Sequence, residues 1–71
     1  MKFIRINKTN KGKLEQQYNL EPGYLELSSG MLLTADFGGE RYHSILTPAA
    51  FAAMYKVVKK LDNGYYEIVP K

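Results

Sequence analysis

Apolar and polar positions alternate at the start of the chain. Lys2 to Asn7 places Ile4 and Ile6 on one side and Phe3 and Arg5 on the other, the two-residue period of a β-strand. The polar run Asn7-Lys8-Thr9-Asn10-Lys11-Gly12 ends it. Leu14, Gln16, Tyr18 and Leu20 share a parity, so Lys13 to Leu20 is expected as a second strand, although Leu14 and Tyr18 also fit one turn of helix. Glu21-Pro22-Gly23 predicts a turn: proline presets the first central dihedral of a type II turn, and glycine accepts the positive φ that follows. A strand is then expected over Tyr24 to Leu27, a break at Ser28-Ser29-Gly30 and a further strand over Met31 to Ala35. Phe37-Gly38-Gly39 supplies a tight hairpin turn before a strand from Glu40 to Ile45.

The pattern changes at Thr47. Its hydroxyl can cap the free amides of a first helical turn, and Pro48 suits the first helical position, where its missing N–H costs nothing. Phe51, Met54, Tyr55, Val58 and Leu61 recur at helical spacing and predict a helix running to Leu61, with Lys56, Lys59 and Lys60 off its apolar stripe. Asp62-Asn63-Gly64 stops it, and Tyr65 to Val69 returns as a last strand with Pro70 tolerable at an edge. The expected fold is α+β: a short antiparallel β-meander with one helix packed on it, in a single domain over residues 1–71.

At this length folding removes only about 60% of the unfolded chain's surface from water, so a staple is expected. With no Cys among 71 residues, self-association is the remaining cheap route, and the sequence suits a reducing compartment such as the cytoplasm. No membrane-length apolar run or signal-type core appears.

The net charge of +3 is unevenly spread. Lys2, Arg5, Lys8, Lys11 and Lys13 face no acid in the first thirteen residues, whereas Glu15, Glu21, Glu26, Asp36 and Glu40 outnumber Arg41 before residue 56. An acidic centre suits an electropositive partner, such as the DNA groove of an enzyme. Catalytic chemistry has little to work with: one His, no Cys, and carboxylates scattered through expected hairpins, so neither an enzyme nor a bound metal or cofactor is expected. Gly38-Gly39 opens no helix and cannot form a phosphate-binding loop there.

The helix carries two readings. Its stripe can press onto the sheet of any small α+β domain. Alternatively Ala49, Ala50, Ala52 and Ala53 leave the Phe51 ring proud of small neighbours, and a prominent Phe with a Tyr one turn on has the look of an interface anchor.

Met31-Leu32-Leu33, Asp36 and Gly38, then Tyr42-His43, Leu46, Thr47, Phe51, Met54 and Tyr55 together resemble the small dimeric phage inhibitors of host uracil-DNA glycosylase. The resemblance implies a homodimer formed through sheet and helix that fills the enzyme's DNA-binding cleft in the host cytoplasm. A pocket at the dimer seam would receive the leucine that the glycosylase pushes into DNA. It implies partner contacts from Phe51, Tyr55, Tyr42, Leu46, Met54 and Ala52, with Asp36 and Glu40 standing in for phosphates. His43, Ala49, Ala50 and Ala53 would line the dimer interface. Arg41 and Ala52 stand where acidic residues are expected.

Two alternatives share these features. The early cations and six tyrosines would also suit a single-stranded nucleic-acid-binding domain. The dimer surface could equally serve to inhibit another host DNA-processing or defence protein.

Overall fold

The computed structural model describes residues 1–35 and 43–71. The fold is α+β, as expected, with a five-stranded antiparallel sheet and two helices. In chain order these are β1 (Lys2–Arg5), α1 (Lys11–Gln17), β2 (Leu32–Ala35), β3 (His43–Leu46), α2 (Pro48–Met54), β4 (Tyr55–Lys60) and β5 (Tyr66–Pro70). A 3₁₀ turn at Asp62–Gly64 joins β4 to β5. The sheet order is β3-β2-β1-β5-β4, so β1 lies between two hairpins and the sheet is not a sequential meander.

The central position follows from the composition of β1. Phe3 and Ile4 point to opposite faces and both are buried, which is possible only where both faces are covered. On one face Ile4, Ile6 and Leu33 pack with Leu14 of α1, Leu25 and Tyr65. On the other, Phe3, Leu32 and Ile68 pack with Phe51 of α2. The result is a helix on each side of one sheet.

Residues 13–20 depart from the expected strand. The turn before them is tied by side-chain amides: Asn7 Oδ1 accepts from the backbone of Thr9 and Asn10, and Asn10 Nδ2 donates to the Arg5 carbonyl at 2.8 Å. That knot starts α1, and Leu14 and Tyr18 then face the same core cluster one helical turn apart. Asn19, in the left-handed region at φ 56°, ends the helix, with the Leu20 amide reaching back to the Glu15 carbonyl at 2.8 Å.

Residues 24–27 are also turn, not strand. The Glu21-Pro22-Gly23 turn is present, closed by the Tyr24 amide on the Glu21 carbonyl at 2.9 Å with Gly23 at φ 87°. Further turns follow, where Glu26 N donates to the Gly23 carbonyl and Ser28 N to the Leu25 carbonyl. Inside this coil Leu25 is fully buried, and its amide donates to the Glu15 carboxylate at 2.8 Å. That bond lets Glu15 lie buried without an unmet acceptor.

The largest correction concerns the predicted helix from Thr47 to Leu61. Its start is as expected, with Thr47 Oγ1 accepting from the Ala50 amide at 3.1 Å and Pro48 opening the first turn. The helix stops at Met54, because Tyr55 is extended at φ −133° and ψ 160° and leads into β4. The aromatic and β-branched residues Tyr55, Val57 and Val58 suit a strand. Asn63 at φ 63° and Gly64 at φ 82° turn the chain tightly enough for β4 to pair with β5. Pairing with β5 thus overrides the helical spacing.

Candidate interaction surface

The residues expected at the interface are divided by the fold. Phe51 is the one buried residue of α2, 7% exposed, with its ring 4.5 Å from Phe3 and 5.6 Å from Tyr55 between centroids. Phe3 in turn stacks on Tyr66 at 5.1 Å. The Phe51 ring therefore does not stand proud. The surface that approaches it closely is the sheet of its own chain, and the aromatic row Tyr66, Phe3, Phe51, Tyr55 anchors α2 to that sheet.

What remains on the outside is the small and flexible side of the same helix. Ala49, Ala52 and Ala53 are exposed, Ala50 is half-buried, and Met54 is 49% exposed. In edge strand β4, Val57 and Val58, where the pairing with β5 shifts register, are 50% and 54% exposed. Leu46 and Tyr55 are half-buried beside the Phe51 cluster. Lys56, Lys59 and Lys60 of β4 are exposed and give the strip a cationic border.

His43 lies apart from the alanines with which it was grouped. It pairs with Ala35 and its ring is 6.3 Å from Tyr18 and 6.4 Å from Tyr24, on the α1 side of the sheet. Alternation along β3 separates it from α2, because Leu46, three positions on, is the residue that turns towards Phe51. Asp36, Glu40, Arg41 and Tyr42 lie outside the described residues.

Asp36 and Glu40, the acids suggested as phosphate mimics, are among the residues not described, and the acids that are described are few. Glu15 is buried on the Leu25 amide. Glu26 forms an ion pair with Lys11 at 2.8 Å, and that hydrogen bond and charge hold its carboxyl below the ordinary value. Nine described cations, Lys2, Arg5, Lys8, Lys11, Lys13, Lys56, Lys59, Lys60 and Lys71, outnumber five described acids, Glu15, Glu21, Glu26, Asp62 and Glu67. The described surface is cationic.

A second feature had no clear signal in the sequence. β1 and β5 pair at Lys2↔Glu67 and Phe3↔Tyr66, and towards Ile4 and Arg5 the strands part as the chain enters the Asp62–Gly64 turn. A notch of about 660 Å³ opens there between α1 and the turn. Lys2 and Lys13 stand on its walls, and the Lys2 ammonium sits 4.4 Å above the Tyr65 ring. Burial there lowers the Lys2 pKa from its ordinary value. The Tyr65 hydroxyl lies 3.4 Å from that of Tyr18 and donates to Gln17 Oε1 at 3.5 Å. Burial first, and then the bond to Tyr65, raise the Tyr18 pKa.

No protein-family model, curated protein or solved structure matches this chain. Among the described residues no group of His, Asp or Glu is arranged to hold a metal ion, and no helix is long and apolar enough to cross a membrane.

Proposed function

We propose that the chain is a protein-binding module that associates with itself and with a partner through the strip where α2 runs into β4, and that a uracil-DNA glycosylase is the partner. The observation that carries the binding surface is the exposure of Ala52, Ala53, Met54, Val57 and Val58 around the junction of α2 and β4; the other large apolar side chains left exposed among the described residues are Tyr24, Leu27 and Val69. The residue resemblance from Tyr42 to Tyr55 nominates the partner. Completing the burial of the half-exposed Met54, Val57 and Val58 would contribute roughly 2–4 kcal/mol per copy.

The mechanism differs from the sequence expectation in the role of Phe51 and in the residues that make the contact. Phe51 serves as the floor that holds the strip in place, and the contact itself falls to Met54, Val57 and Val58. Phosphate mimicry stays with Asp36 and Glu40 and is no part of the lysine-bordered strip, whose own contact is apolar. Inhibition is steric: a glycosylase whose groove is filled cannot flip uracil out of DNA.

The test combines a uracil-excision assay with sedimentation of the purified chain. Excess protein should suppress excision, and the chain should sediment as a dimer at micromolar concentration. Val58→Asp, at an exposed position, should abolish both while leaving the fold intact. Full excision in the presence of excess protein excludes the glycosylase, and a monomer excludes the self-association.

A further inference from the structure

The outer edge of β4 adjoins the strip assigned above but offers a different contact, made by backbone and independent of the glycosylase reading. β4 ends the sheet, so one side of its backbone pairs with β5 and the other meets no strand among the described residues. Antiparallel pairing alternates residues that bond across the ladder with residues that turn their backbone groups away. The Lys71 amide donates to the Met54 carbonyl and the Leu61 amide to the Tyr65 carbonyl, which fixes that alternation at both ends of the strand. Val57 and Lys60 therefore aim their N–H and C=O outward. Tyr55 aims only its carbonyl, because its N–H closes α2 on Phe51. Val58 is the extra residue where the register shifts, and it bends the edge between the two stretches.

The side chains sort by face. Tyr55 and Val57 lie opposite Pro70 and Ile68, and Lys60 opposite Tyr66, on the face of the Phe51 cluster. Lys56 and Lys59 lie opposite Val69 and Glu67 on the other face. Glu67 forms no ion pair with Lys59 among the described residues, and β4 itself holds no acid. Three exposed lysines in one short strand reject edge-to-edge pairing with a second copy of β4, which would bring like charges into line. They attract a strand of opposite charge. A neighbour running along this edge meets cations on one face and mostly apolar side chains on the other, so its own side chains must alternate acid with apolar to satisfy both. Phosphate would suit the cations, but it only accepts hydrogen bonds and leaves the outward carbonyls of Tyr55, Val57 and Lys60 to water.

We propose that the outer edge of β4 takes an extended peptide segment that alternates acidic and apolar residues, adding it to the five-stranded sheet as a further strand. Its acids lie beside Lys56 and Lys59, and its apolar side chains lie beside Tyr55 and Val57.

The experiment titrates the full chain with a capped hexapeptide of alternating glutamate and valine, followed by backbone amide resonances, amide exchange and calorimetry. The controls are a peptide of the same composition with its glutamates in one block, an alternating lysine and valine peptide, and a short oligothymidylate. The alternating acidic peptide should shift the amides of Val57 and Lys60 and slow their exchange, and raised salt should weaken its binding. The block peptide should bind about tenfold more weakly. Lys56 and Lys59 are exposed, so replacing both, Lys56→Glu with Lys59→Glu, should keep the fold, weaken the acidic peptide about tenfold and let the lysine and valine peptide bind in its place. No slowing of exchange at Val57 and Lys60 at millimolar peptide, equal binding of the block peptide, or a charge-reversed chain that binds as the parent does would each overturn the proposal. Displacement of the peptide by the oligothymidylate would overturn it in favour of phosphate, and protection of both amides in the free chain would overturn it in favour of a second copy.

Discussion

Replacing Phe51 with alanine separates the two roles that this ring could have. A ring standing free on a helix would be missed by a partner but not by the fold, and surface truncations of that kind change stability within about 0.5 kcal/mol. Phe51 is instead 7% exposed and contacts Phe3 and Tyr55. Truncating a buried Phe costs about 3–5 kcal/mol, with up to roughly 1 more for the lost aromatic pairs. A chain of this length has a total stability of roughly 4–10 kcal/mol, so the loss is a third or more of the whole. The damage should also be local. α2 has seven residues, too few to hold as an isolated helix, and Phe51 is its one buried anchor. Urea unfolding followed by circular dichroism should show a midpoint far below the parent's, and amide exchange should rise across residues 48–54 before the sheet opens. Phe51→Leu, which keeps most of the volume, should cost less than about 1.5 kcal/mol. An unchanged midpoint for Phe51→Ala, with the α2 amides still protected, would refute the packing argument.

Two further predictions concern groups on the α1 side. Glu15→Ala leaves the buried Leu25 amide without its acceptor and should cost about 1–3 kcal/mol in urea unfolding, whereas Glu15→Gln keeps a carbonyl there and should lose less; equal losses would show that the acceptor is not what matters. The Tyr18 hydroxyl is held above its ordinary value of 10.0 in the folded chain, so its contribution is intact below pH 10.0 and is lost as pH rises beyond it. Lys2, lowered from 10.5, acts in the opposite sense: its penalty is relieved as pH rises towards 10.5, which offsets part of the loss. Thermal midpoints measured across alkaline pH should fall less steeply in Tyr18→Phe than in the parent, and parallel curves would count against the assignment.

What could be read from the sequence was local. β1, the type II turn at Pro22-Gly23, the Thr47-Pro48 helix start and the tight reversal at Asn63-Gly64 each depend on dihedral or capping preferences carried by adjacent residues. What could not be read was decided at a distance. Tyr55, Val58 and Leu61 recur at helical spacing, but Tyr55 to Lys60 also suits a strand, and pairing with β5 settles the choice. Leu14, Gln16 and Tyr18 fit either period over so short a span, and the Asn7–Asn10 knot decides for the helix. At the candidate surface the alanines did mark a side of α2, but the outer one, while the partner of Phe51 is Phe3 from the opposite end of the chain. The notch left no trace in any motif, since it arises where two strands stop pairing.

The placement of β1 bears on how the chain assembles. β2 pairs with β3 and β4 with β5, but neither pair is joined directly to the other. They meet through β1, whose Lys2 pairs with Glu67 across nearly the whole chain. Without that contact the sheet would divide into β3-β2-β1 and β5-β4, each with a bare edge of the kind that associates with neighbours. Such long-range closure slows the search for the native state. The rate-limiting event is expected to be the arrival of β5 against β1, and the hydrogen bond from Ile68 to Met1 is where that seam begins.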